Sequence, residues 1–189
     1  VGGARNCGEG DAHFPGEDGC RPIGRPCAVG PFPDTSDLRG DVPQVFVAGD
    51  AAPGGNGSRA APLPTLGSAL DVAVPGSVVV LGAGRFEVDR PWPDGVSVRG
   101  LCVRDTVLGV DEGAGITSVL DLRAPSRGSR FEDVTVGPAP VRGILVQGGE
   151  ATVVLAGVEV RGTVGDPAAV WVSAAGTLEA RDLVVRDTG

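Results

Sequence analysis

Three acidic residues, Asp121, Glu132 and Asp133, lie close in sequence to two arginines, Arg123 and Arg130. Carboxylates in such a group could hold Ca²⁺, and an Arg beside the bound cation could serve as a base. The plainer reading, which we prefer, is a solvated face with surface ion pairs contributing about 0–1 kcal/mol each. A second candidate set is Arg99, Arg161 and Arg186, each closing a short Val-rich run. Aligned guanidiniums could bind an acidic polysaccharide, or could cover a fold and pair with nearby acids such as Glu159. Trp171 lies between Val170 and Val172, so strand alternation points it away from them, where it could stack on a sugar ring or anchor a partner. Packing beneath a loop is the competing role.

Other chemistries have little support. His13 is the only histidine, which disfavours a Ser-His-Asp site or a His-rich metal site. There is no Lys, which removes one common catalytic base. Asp50 and Asn56 could touch an ion but are better read as turn residues, and Gly82-Ala83-Gly84 lacks what a phosphate loop needs. The net charge of −8 argues against non-specific nucleic-acid binding. No stretch is long and apolar enough to span a membrane as a helix. No dedicated metal set and no cofactor are expected, Ca²⁺ being reserved for the acidic group if it is catalytic.

The four cysteines suggest an oxidising compartment, hence a secreted or cell-surface protein. Cys7, Cys20 and Cys27 fall within residues 1–42, a Gly- and Pro-rich leader with little apolar periodicity. A Cys7–Cys20 bridge would close a loop of about 14 residues, worth roughly 3 kcal/mol in the chain-entropy model. Cys27–Cys102 would then clip the leader to the remainder. The alternative leaves Cys102 a buried thiol and one leader cysteine unpaired.

The elements that must position these groups are short strands. Gly (32) and Pro (16) punctuate brief Val and Leu runs, and aromatic residues are only 4%. One helix is expected, from the N-cap Thr65 to about Ala73, with Leu66, Ala69, Leu70 and Ala73 on one face. From Ser77 onward the chain repeats. Phe131, Val134 and Val136 return as Leu155, Val158 and Val160 after 24 residues and as Ala180, Leu183 and Val185 after 25 more. Leu120 and Leu122 return as Ile144 and Val146 after 24, then as Val170 and Val172 after 26.

Bends fall at Glu132-Asp133, Ala156-Gly157 and Arg181-Asp182. One such strand cannot bury its apolar face alone, but successive coils stacked at a rise of about 4.8 Å can. The expected fold is all-β, a right-handed parallel β-helix of roughly five or six coils over residues 43–189, with residues 101–117 as an excursion. Its repeat places Arg99, Arg161 and Arg186 at one outward position, and Leu145 one coil before Trp171. Trp92, between two prolines, is expected to pack under a turn.

Several of these segments resemble a known family. They are Val45-Phe46-Val47-Ala48-Gly49-Asp50, Gly54-Gly55-Asn56-Gly57-Ser58, Pro64-Thr65-Leu66 with Ser68-Ala69-Leu70, Pro75-Gly76 through Val78-Val79-Val80-Leu81, Gly84-Arg85-Phe86, and Val96 through Gly100. Together they resemble the N-terminal coils of secreted bacterial right-handed parallel β-helix proteins of pectate-lyase-like architecture. The leader, with Cys7-Gly8-Glu9-Gly10 and Gly19-Cys20, resembles cysteine-rich segments of bacterial surface proteins. The resemblance implies that the helix covers the open end of the coil stack. It also implies a choice of functions, since the family holds polysaccharide lyases, hydrolases and proteins of no known activity. Its catalytic members carry acidic Ca²⁺ ligands or paired Asp residues plus an Arg or Lys on one outer face.

The expected function is a non-catalytic scaffold or a carbohydrate- or partner-binding surface. The alternative is a lyase or hydrolase acting on acidic polysaccharide. No capping element follows Asp187-Thr188-Gly189, so the last coil is expected to continue into further chain or to pack on another copy.

Overall fold

The structure is a computed structural model that describes residues 7–111, 115–123, 125, 127–163, 169–173 and 176–186. The elements are β1 (Asp11–His13), β2 (Cys20–Pro22), β3 (Gln44–Val47), α1 (Leu66–Val72), β4 (Val78–Leu81), β5 (Gly84–Glu87), β6 (Ser97–Arg99) and β7 (Thr106–Gly109). They continue as β8 (Ser118–Arg123), β9 (Arg130–Val136), β10 (Arg142–Gln147), β11 (Thr152–Arg161), β12 (Val170–Ser173) and β13 (Thr177–Arg186). β1 and β2 form an antiparallel hairpin, and the other strands pair in parallel.

The parallel strands build a β-solenoid. One sheet runs β13-β11-β9-β6-β4-β3, with β5 and β7 joined beside it, and a three-stranded sheet runs β12-β10-β8. The sequence ladders are its registers. Phe131, Val134 and Val136 lie opposite Leu155, Val158 and Val160, which lie opposite Ala180, Leu183 and Val185. Leu120 and Leu122 lie opposite Ile144 and Val146, then Val170 and Val172. These side chains meet between the sheets, where Phe131, Leu120, Ile144 and Leu155 are fully buried. Each such burial contributes about 1.5–3 kcal/mol, so a continuous column of them can offset the ordering of many short strands.

The helix forms where the sequence placed it. Thr65 caps it, its side chain accepting from the Ser68 N–H at 3.2 Å, and Leu66, Ala69 and Leu70 are buried against the first coil. Trp92 lies at its own turn, residues 93–96, and also fills the core. It stands edge-on to Phe131 at 5.1 Å, with its Nε1–H donating to the Val96 carbonyl.

Two expectations change. Residues 101–117 are not wholly an excursion, because β7 within them pairs with β5 and with β9. Along the main stack, the step from β3 to β4 is spanned by α1 rather than by a second strand. About four turns therefore form, fewer than the repeat period suggests. At the far end the inward-facing Val172 and Val185 are 43% and 47% exposed, β12 and β13 being the last described strands of their sheets. The expectation placed on residues 187–189 lies outside the described residues.

The N-terminal segment is more ordered than its composition suggests. Its hairpin escapes detection in the sequence because three-residue strands show no usable alternation. Ala12 and Ile23 pack on Val103, with Phe14 and Val184 beside them. Phe32 packs edge-on to Phe46 at 5.1 Å, over Val78 and Val80. The segment is thus a strap across the outer face of the larger sheet. Two disulfides hold it, Cys7–Cys20 and Cys27–Cys102.

Candidate functional site

The bends named in the sequence form a column on the outside of the larger sheet. Asp133, Gly157 and Asp182 all adopt left-handed backbone, with φ of 55°, 65° and 50°. Asp and Gly are among the residues that tolerate this region. The strap crosses the column at Gly24. A Cβ on Gly24 would lie 2.3 Å from Asp133 Oδ1 and 2.7 Å from Gly157 Cα, so only glycine fits.

Charges then fasten the strap. The Arg25 N–H donates to Asp133 Oδ1 at 2.8 Å, and the Arg25 guanidinium lies 3.4 Å from Asp133 and 3.5 Å from Glu132. Arg21 reaches Asp182 at 2.8 Å. Arg99, 2% exposed, is held between Glu132 at 2.7 Å and Asp37 of the strap, and it donates to the Asp34 carbonyl at 3.1 Å. Burial alone would raise the Glu132 carboxyl, but the guanidiniums of Arg130 and Arg99 overcome it and hold the group below its ordinary value. Asp133 goes the other way, because burial outweighs the Arg25 contacts and pushes its carboxyl up to about 6.

The consequence for stability has a definite sign. A carboxyl whose folded value exceeds its ordinary 3.8 binds more protons folded than unfolded between those two values. Native stability from this group therefore falls as pH rises from about 4 to about 6 and stays lower above that, by up to about 3 kcal/mol. Asp133→Asn keeps an acceptor for the Arg25 N–H, tolerates positive φ and cannot ionise. Urea denaturation should show it equal to the parent near pH 4 and more stable at pH 7.5. A variant less stable than the parent at pH 7.5 would show that the charge pairing with Arg25 outweighs burial.

The candidate residues from the sequence separate into two faces. Glu132, Asp133 and Arg130 share a cleft of about 270 Å³ with Arg25, Arg181 and Asp182. Asp121 does not join them. It lies on β8 in the other sheet, ion-paired to Arg123 at 2.7 Å. The three carboxylates therefore do not form one cation site. Both Glu132 oxygens already accept from arginines, Oε1 from Arg130 and Oε2 from Arg99. Among the described residues, one group has ligand atoms close enough for a metal, Cys27, Cys102 and Asp105, and its two sulfurs are bonded to each other.

The arginine row is also divided. Arg161 and Arg186 are in register, but Arg99 lies opposite Glu132. The cause is the split of this coil into β6 and β7, so that β7, not β6, faces the end of β9. Arg161 pairs with Glu9 of the strap at 3.0 Å. Arg186 pairs with buried Glu159 at 3.3 Å and donates to the Asp11 carbonyl. All three arginines thus bind protein groups on a face the strap covers. His13 lies exposed on β1, and Asn56 Oδ1 accepts from the Ser58 N–H in its turn.

The second face is not touched by the strap's ion pairs or disulfides among the described residues, and its exposure rises from Asp121, which is 7% exposed, through half-buried Leu145 to Trp171. On β8, β10 and β12 the outward row is Asp121, Leu145 and Trp171, in register across the three strands. Trp171 is 43% exposed. The guanidinium of Arg142 lies 5.1 Å from its ring centroid, a cation–π contact that steadies the indole. Arg123 and Gln147 lie opposite each other on the same sheet.

Sequence reasoning missed Arg21, Gly24, Arg25 and Arg142. The first three have no signal of their own, because their role depends on where the strap lands. Arg181 and Asp182 were marked as a bend but not as a site. Comparisons with protein-family models, with curated proteins and with solved structures returned no match. What stands is a parallel β-solenoid carrying two disulfides.

Proposed function

We propose that this chain is a non-catalytic extracytoplasmic module whose contact surface is the outer face of β8, β10 and β12, bound by carbohydrate or by a protein partner. The observation that carries the reading is Trp171, a large ring left 43% exposed on the edge strand β12 and contacted by the Arg142 guanidinium. Indole rings present wide apolar area with little flexibility, which suits stacking on sugar rings. The disulfides support an oxidising location. The catalytic alternative would need Asp121, Glu132, Asp133 and Arg130 to act together, and they lie on two different sheets.

The test uses the protein's two tryptophans. Trp92 is 5% exposed, so fluorescence changes on titration report on Trp171. Oligogalacturonate and a neutral oligosaccharide of equal length are titrated, with Ca²⁺ present. A saturable change, weakened at least tenfold in Trp171→Ala, is expected. No change with either sugar would remove carbohydrate from the proposal. Appearance of shortened or unsaturated products in the same mixtures would replace the binding module with an enzyme.

A further inference from the structure

The cleft between the strap and the larger sheet has an unused half. One row of side chains crosses four neighbouring strands here. Arg99 lies opposite Glu132, Glu132 opposite Ala156, and Ala156 opposite Arg181. Three of the four are long and charged, and Ala156 is a methyl group. The cleft of about 270 Å³ is lined by Ala156, Glu132 and Arg181, with Arg25, Arg130 and Asp182 around them. A liquid water occupies about 30 Å³, so the space accommodates a much larger polar group.

The charges around it are unevenly committed. Glu132 is bound by Arg99 and Arg130. Asp133 is bound by the Arg25 N–H and guanidinium, and Asp182 by Arg21. Asp37 takes Arg99. The acids therefore face cations that already hold them. Arg181 is exposed, and among the described residues it has no ion-pair partner. Arg25 and Arg130, 44% and 39% exposed, border the same space. The arginines Arg161 and Arg186 on the same sheet lack this freedom, being tied to Glu9 and Glu159.

We infer that the space above Ala156 is an oxyanion site, in which a carboxylate or sulfate group binds Arg181 with Arg25 and Arg130 beside it. The planar guanidinium fork matches such groups in two-point contact. The net charge of −8 opposes anions at long range, but that field is screened beyond roughly 8 Å at physiological salt. The site lies on the strap-covered sheet and does not depend on the Trp171 face.

Melting temperature is measured against sodium glucuronate and sodium sulfate, with glucose as the neutral control and sodium chloride matching ionic strength. Three proteins are compared: the parent, Arg181→Gln and Ala156→Glu. The parent should show a saturable rise of about 2–4 °C with an oxyanion and none with glucose. Arg181→Gln should weaken the response at least fivefold. Ala156→Glu places a carboxylate of the protein's own in the cleft, and should melt higher without ligand and no longer respond. Because sulfate also stabilises proteins by exclusion, the difference between parent and variants is the readout. A response to glucuronate alone assigns the group to a sugar acid, and one to sulfate as well assigns a general oxyanion site. Equal responses in the parent and Arg181→Gln, or no response in the parent, would overturn the inference. Should Ala156→Glu fail to fold, Arg181→Gln decides alone.

Discussion

Replacing Cys27 and Cys102 together with Ala is expected to lower the folding free energy by about 4 kcal/mol. The bridge spans 75 residues, and in the chain-entropy model closing a loop of that length is worth roughly 4.5 kcal/mol. The Cys7–Cys20 bridge spans 13 residues and should contribute less, about 3 kcal/mol. The two losses should also differ in where they are felt. Cys27 is two residues from Arg25, so freeing it loosens the contacts on Asp133 and Glu132 and uncovers Arg99, which is otherwise buried. Urea denaturation gives the magnitudes. Hydrogen exchange should show lost protection across residues 20–37 in the Cys27/Cys102 variant, and only near the hairpin in the Cys7/Cys20 variant. A larger loss from the shorter loop, or unchanged exchange in the strap, would mean that packing and ion pairs hold the strap without the bridge.

Gly157→Ala is expected to be nearly as damaging, by about 2–4 kcal/mol. Left-handed backbone costs an alanine roughly 1–2 kcal/mol. The larger part is steric, for a Cβ there would stand 2.4 Å from Gly24 Cα and 2.8 Å from Asp133 Oδ1. The Gly24 atoms are backbone, so relief on that side requires lifting the strap from the sheet. Asp182 supplies the control, because it holds the same positive φ one coil away as a non-glycine residue. Asp182→Ala loses the ion pair with Arg21 and carries similar backbone strain, but adds no Cβ where none was. It should cost at least 1 kcal/mol less than Gly157→Ala. Equal losses would show that backbone conformation, rather than the fit of the strap, makes glycine necessary at position 157.

The coil ladders were readable in the sequence because inward positions of a stacked strand answer to one requirement, burial. Phe131, Leu155 and Ala180 keep apolar character at a fixed interval whatever their neighbours do, and the registers follow from that interval alone. The helix was readable for a similar local reason, a capping Thr65 followed by apolar residues at helical spacing. The left-handed bends carried a weaker local mark, the Asp or Gly at Asp133, Gly157 and Asp182.

Outward positions answer to whatever covers them, and that was not local. Arg99, Arg161 and Arg186 look alike in sequence, yet Arg99 is buried between the sheet and the strap while Arg161 and Arg186 bind other partners. Asp121 stands near Glu132 in sequence and on a different sheet in space, because a solenoid turns the chain from one face to the next between them. The sequence by itself determined the parallel stack, its inward residues, its capping helix and the outward direction of Trp171. Only the tertiary structure decided that the cysteine-bearing segment is a strap, that it is fastened to the larger sheet, and that Arg181 borders a cleft whose carboxylates are already held by other arginines. Periodic burial writes itself into residue type, whereas the meeting of Gly24 with Gly157, or of Arg25 with Asp133, depends on a path through space that no spacing along the chain records.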